Sequence, residues 1–200
     1  MANDNKRFEV KPVERRTFLR YSLIGAVGAG LGGFGLASLG FLYPRPGDQL
    51  FGEIPLGNAQ DIADQVQTER APLNVPEAGV VVQVWDPSIN GATEAYGEQH
   101  ATLTDTVGLM AIYSKQCPHL GCAVPWCQSS QWFECPCHGS RYNRYGEWTG
   151  GPAPRGLDRY SSTVNDDGQF VVNLSDFLTG PARTSNILEQ LAEGPSCVDA

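Results

Sequence analysis

The chain has 200 residues, enough for one domain of ordinary size with an appendage, and its 23 Gly and 14 Pro point to turns and strands rather than long helices. The net charge of −8 is unevenly laid out: residues 1–20 hold six Lys and Arg against three acidic residues, and the other 180 hold eight against nineteen. So acidic a body argues against DNA or RNA as a partner, because neutralising phosphates takes Lys and Arg, while a basic head before an apolar run is a membrane-topology pattern.

Residues 1–20 are expected on the cytoplasmic side. They include Glu14-Arg15-Arg16-Thr17-Phe18-Leu19-Arg20, which is similar to a twin-arginine export signal except that Glu14 stands where Ser or Thr is usual. From Tyr21 to Tyr43 there are 23 residues without a charge. As a helix this run spans roughly 34 Å, enough for a hydrocarbon core of about 30 Å. It is longer than the apolar region of a cleaved signal peptide and no clean A-x-A site follows it, so it is predicted to be an uncleaved anchor, 21–43. Small residues recur at Gly25, Ala29, Gly33 and Ala37, a stripe along which another transmembrane subunit could pack. Pro44-Arg45-Pro46-Gly47-Asp48 cannot continue the helix, and 44–52 reads as a tether. The N-terminus is then cytoplasmic and the body lies outside.

Beyond residue 50 the pattern is that of short strands. Gly79–Trp85 and Gly108–Lys115 are apolar runs of strand length, and Asp158–Val164 and Gln169–Leu174 flank Asn165-Asp166-Asp167-Gly168, a predicted hairpin. No long 3.6-residue period shows between 50 and 180, and one short helical turn is expected near Glu189 and Gln190. The fold predicted for 53–180 is mainly β, a small antiparallel sandwich with functional loops inserted at one end, followed by a tail, 181–200.

Five of the six cysteines and two of the three histidines fall between Cys117 and His138, in two boxes: Cys117-Pro118-His119-Leu120-Gly121-Cys122 and Cys135-Pro136-Cys137-His138-Gly139-Ser140. A Cys₂His₂ zinc site uses the same ligand types but pairs like with like, and here each pair is mixed. A pure disulfide framework suits an exported domain but gives His119 and His138 no purpose. A binuclear iron–sulfur centre with two thiolates on one iron and two imidazoles on the other accounts for both boxes, each donating one ligand to each iron.

The segments CPHLGCAVPW, FECPCHGSRYN and GGPAP resemble the Rieske iron–sulfur subunits of cytochrome bc-type quinol–cytochrome c oxidoreductases. The resemblance implies a [2Fe–2S] cluster with Cys117 and Cys135 on the buried iron, His119 and His138 on the outer one, and loops spanning 117–142. It implies a Cys122–Cys137 disulfide, a proline loop at 150–155, hydrogen bonds from Ser140 and Tyr142 to sulfur, and His138 as the group that meets the quinol. The implied partners are a membrane quinol, a cytochrome b subunit and a c-type cytochrome, in a cell or thylakoid membrane. A domain swing on 44–52 would then carry the electron between them. The Rieske small subunit of an arsenite oxidase, or a low-potential Rieske ferredoxin-like carrier, stands as the alternative. Cys127 and Cys197 remain; in an exported domain a Cys127–Cys197 disulfide is expected. His100, in a polar stretch, is expected at the surface, and Trp126 and Trp132 are expected as packing of the inserted loop.

Overall fold

The computed structural model describes residues 13–42, 52–114 and 116–198, in two compact units, 1–48 and 49–200. In the first, the charge-free run forms a single helix, α1, over Arg15–Leu42, so helical structure starts six residues ahead of the expected anchor and includes Arg15, Arg16 and Arg20. Its 28 residues span about 42 Å. The most apolar 18-residue stretch within Arg15–Gly40 has a mean hydropathy of 1.6, and Phe34 and Leu36 are 75% and 73% exposed. From Tyr21 onward the helix carries no charge on any side, and it is long enough to cross a membrane. Apart from Gly52, the expected tether 44–52 lies outside the described residues.

The second unit opens with β1 (Glu53–Asn58), α2 (Ala59–Glu69), β2 (Leu73–Val75), β3 (Val80–Trp85) and α3 (Ala92–Tyr96). It continues with β4 (Ala101–Thr104), β5 (Val107–Tyr113), β6 (Trp126–Cys127), β7 (Trp132–Glu134), β8 (Arg141–Tyr142) and β9 (Trp148–Gly150), and closes with β10 (Arg159–Val164) and β11 (Gln169–Leu178). Seven strands make an antiparallel base sheet in the order β1-β11-β10-β5-β3-β2, with β4 also on β5. The other four form a short antiparallel meander, β6-β7-β8-β9, which carries the two Cys/His boxes.

The apolar runs at β3 and β5 have a physical reason. Successive side chains of a strand point to opposite faces, and here both faces are covered. Val81, Trp85, Met110 and Ile112 face a core shared with the small sheet, including Phe133, Tyr142 and Leu157; Val82, Leu109 and Ala111 face a second core beneath α2. Strands buried on both sides read as continuous hydrophobic runs rather than as alternation.

Helix α2 departs from the expected absence of helical period in this stretch. Its buried residues Ala59, Ile62, Ala63 and Val66 fall at i, i+3, i+4 and i+7. Asn58 caps it, its Oδ1 accepting from the amides of Gln60 (2.9 Å) and Asp61 (3.1 Å). Two of the four buried positions are alanine, which leaves the stripe faint in the sequence. The predicted hairpin is present: Asn165 Oδ1 accepts from the amides of Asp167 (3.1 Å) and Gln169 (2.8 Å), and β11 runs on to Leu178. The helical turn expected near Glu189 and Gln190 is absent; residues 179–198 form an irregular strap whose backbone partners lie elsewhere in the domain.

Candidate metal centre

The two boxes are built to one backbone plan. In the first, the Cys117 amide donates to Cys122 O (2.7 Å) and the Gly121 amide to Cys117 O (2.8 Å). In the second, the Cys135 amide donates to Ser140 O (2.8 Å) and the Gly139 amide to Cys135 O (3.1 Å). Each loop thus closes from its first residue to its sixth and from its fifth back to its first. The fifth residue is a glycine with φ of +81° or +69°, a conformation that a side chain would strain.

These loops bring the sequence-predicted residues together. The structure pairs Cys122 with Cys137 and Cys127 with Cys197, leaving Cys117 and Cys135 as free, buried thiols. The sulfurs of Cys122, Cys135 and Cys137 lie within 4.8 Å of one another, so the first disulfide closes the two loops directly beside a free thiol. The rings of His119 and His138 meet edge to face, centroids 4.8 Å apart, His119 half-buried and His138 exposed. Burial pushes the Cys135 thiol up, and hydrogen bonding with Cys117 adds to this; the amides of Cys137 and His138 donate to its sulfur and pull the other way. A nearby cation would tip such a thiol to thiolate. Tyr142, fully buried, has its Oη 3.1 Å from Cys117 Sγ. Burial and that sulfur raise its pKa, so the phenol keeps its proton for donation. The Ser140 hydroxyl acts the other way on the Tyr142 phenol, lowering its pKa.

The loop after β9 lies against the second box. The amide of Ala153, itself fully buried, donates to Ser140 Oγ (3.1 Å). A Cβ at Gly151, where φ is +83°, would sit 2.5 Å from Ser140 Cα and 2.6 Å from Gly139 O, so only glycine permits this approach.

Two buried carboxylates absent from the expected site hold the surroundings. Glu147 accepts from Tyr96 Oη (2.8 Å), Asn143 Nδ2 (2.7 Å) and the amides of Ile187 (2.9 Å) and Leu188 (3.2 Å). Glu134 accepts from the hydroxyls of Ser130 and Ser196 (2.7 Å each) and the amides of Cys197 (2.6 Å) and Val198 (3.1 Å). Both fasten the strap to the small sheet; Glu193 of the strap is shared by Arg144, between β8 and β9, and Arg70, at the end of α2. Lone glutamates carry no sequence signal, since a surface position would look the same.

His100 corrects the surface expectation. It is 3% exposed, beside Tyr96 (ring centroids 6.3 Å), with neither ring nitrogen hydrogen-bonded among the described residues. Burial and the Arg159 charge hold it well below the usual histidine range, hence neutral. The Arg159 guanidinium lies over Tyr96 (4.4 Å), whose pKa burial pushes up to about 12. Trp126 packs edge to face on Phe133 (5.0 Å).

Two free buried thiols and two adjoining imidazoles form a donor set suited to a binuclear iron–sulfur centre with mixed ligation. Residues 77–161 match the Rieske [2Fe-2S] domain. The chain is 33% identical to a cytochrome b6-f complex iron-sulfur subunit of Synechococcus sp. (strain JA-2-3B'a(2-13)), across 84% of this chain and 91% of that one. It is 48% identical to cytochrome b6-f complex iron-sulfur subunit 2 of Synechocystis sp. (strain ATCC 27184 / PCC 6803 / Kazusa) over 38% of this chain and 43% of that one. Among solved structures, the plasma membrane Rieske protein of Synechocystis PCC 6803 superposes with a TM-score of 0.38 at 24% identity, covering 60% of this chain and 97% of that one.

Proposed function

We propose that this chain, which belongs to the Rieske [2Fe–2S] family, takes electrons from a membrane quinol and delivers them to a c-type cytochrome. It is a Rieske electron-transfer subunit of a complex of the cytochrome b6-f and bc type, and its cofactor is a [2Fe–2S] cluster. Cys117, Cys135, His119 and His138 are the proposed ligands, and the observation that carries the reading is their convergence on two loops of identical backbone construction.

When bound, a cluster with two imidazole ligands takes up one electron at roughly −150 to +300 mV, against about −400 mV for plant-type ferredoxins. Around it, Tyr142 and the amides of Cys137 and His138 direct hydrogen bonds at the two cysteine sulfurs, which favours the electron-rich state. His138, exposed beside His119, offers a ring nitrogen at the surface where a quinol hydroxyl can hydrogen-bond and leave its proton. Leu120, 70% exposed on the first loop, adds an apolar contact for a lipophilic donor or for a cytochrome b subunit. Helix α1 serves as the anchor and as the contact for other transmembrane subunits, with Arg15, Arg16 and Arg20 on the cytoplasmic side and the β domain outside.

An electron paramagnetic resonance spectrum of the detergent-solubilised full chain, reduced first by ascorbate and then by dithionite, tests the reading. The expected result is a rhombic mixed-ligand signal already present with ascorbate, with iron and acid-labile sulfide in equal amounts. A signal requiring dithionite would remove the quinol as donor, and zinc in place of iron would end the proposal.

A further inference from the structure

The strap does more at its start than complete the core. Gly180–Arg183 runs beside the end of the proline loop. Arg155 bridges Ala182 in antiparallel register, the Gly156 amide donates to Pro181 O (2.8 Å), and the Gly180 amide donates to Asp158 Oδ1 (2.8 Å). The side chain that ends this run, Arg183, lies over the Trp148 ring (4.0 Å) and donates through Nη2 to Gly151 O (3.0 Å). Trp148 Nε1 donates to the same carbonyl (3.3 Å). Gly151 O is therefore gripped from two sides, one of them supplied from 32 residues further along the chain.

That carbonyl is the outer end of a continuous path. Two residues on, the Ala153 amide donates to Ser140 Oγ (3.1 Å); Ser140 leads directly into β8, whose Tyr142 has its Oη 3.1 Å from Cys117 Sγ. We infer that Arg183, with Trp148, is a positioning residue for the electron-transfer centre: it latches the proline loop at Gly151 and so holds Ser140 and Tyr142 in line with the Cys117 sulfur. The inference rests on the Rieske reading above, since it takes the Cys117 sulfur to be a cluster ligand. Arginine suits the task because its planar guanidinium stacks and donates at once, which a lysine ammonium on a flexible stem does not do in one geometry. Loss of the latch loosens hydrogen bonding to sulfur and lowers the midpoint potential.

The test uses the full-length holoprotein with Arg183→Ala, Arg183→Lys and Trp148→Phe. Arg183 is exposed and belongs to neither the ligand loops nor a disulfide, so the variants are expected to fold with wild-type iron content. Redox titration by visible circular dichroism should give a lower midpoint potential for both Arg183 variants and a smaller shift of the same sign for Trp148→Phe. Deuterium uptake in the peptide containing Ala153 should rise in the same order. A wild-type potential in both Arg183 variants would overturn the inference. So would a lysine variant matching wild type while alanine shifts in a salt-dependent manner, because simple charge would then suffice. Failure of the Rieske reading shows separately, as a wild-type protein without the mixed-ligand spectrum; the deuterium uptake of the variants reports on the latch in either case.

Discussion

In the base sheet, β3 and β5 run six and seven residues and bury side chains on both faces; in the small sheet no strand exceeds three residues. The first region is held by apolar burial over long registers. The second has too little ladder to stand alone, and its stability comes from two disulfides, two buried carboxylates and the strap they fasten. One region tolerates polar change at its edges and fails through its core, whereas the other fails through single polar or covalent anchors.

The largest effect that would sharpen this contrast is at the first disulfide. Replacing Cys122 and Cys137 together by serine releases a cross-link of 15 residues' separation, worth about 3 kcal/mol. Iron should be lost while the far-ultraviolet circular dichroism of the base sheet persists; retention of full iron would break the comparison. Next, Leu109→Ala opens a cavity in the core beneath α2 and should cost about 3 kcal/mol in denaturant unfolding of the whole β domain. Glu147→Ala removes an acceptor shared by Tyr96, Asn143 and two strap amides. It should cost about 2 kcal/mol, expressed as faster amide exchange at 187–188 and in the small sheet but not in β3 or β5. Uniform exchange over both sheets would mean that the domain unfolds as one unit.

The smallest effect is pH-dependent. The folded-state pKa of His100 is depressed by burial and by Arg159. Below about pH 6.5 the unfolded chain therefore binds a proton that the native domain refuses, and stability falls as pH drops from there towards the folded value, with nothing lost above. The slope from this one group approaches about 1.4 kcal/mol per pH unit. His100→Phe should flatten the acid limb relative to wild type in urea midpoints measured between pH 7 and 5; parallel curves would show that His100 is accessible to protons.

The sequence was most legible where the chemistry is local. Both Cys/His boxes, the apolar anchor, the hairpin at Asn165–Gly168 and the two central strands carry their signal within a few residues. It was least legible where a partner lies far along the chain. His100 sits among polar neighbours, and the Arg159 charge that acts on its buried ring lies 59 residues further along the chain. The strap has no periodicity because its order comes from Glu134 and Glu147, 40 to 64 residues away. Helix α2 falls between these cases: its stripe is local but half alanine, too weakly apolar to stand out over three turns.

The matching construction of the two box loops has a consequence for how the centre is assembled. Each loop closes through hydrogen bonds to its own backbone, and the Cys122–Cys137 disulfide then ties the two closed turns together. The backbone hydrogen bonds and the cross-link fix much of the ligand-bearing segment through the chain itself, which lowers the conformational entropy that would be lost in holding a cofactor there.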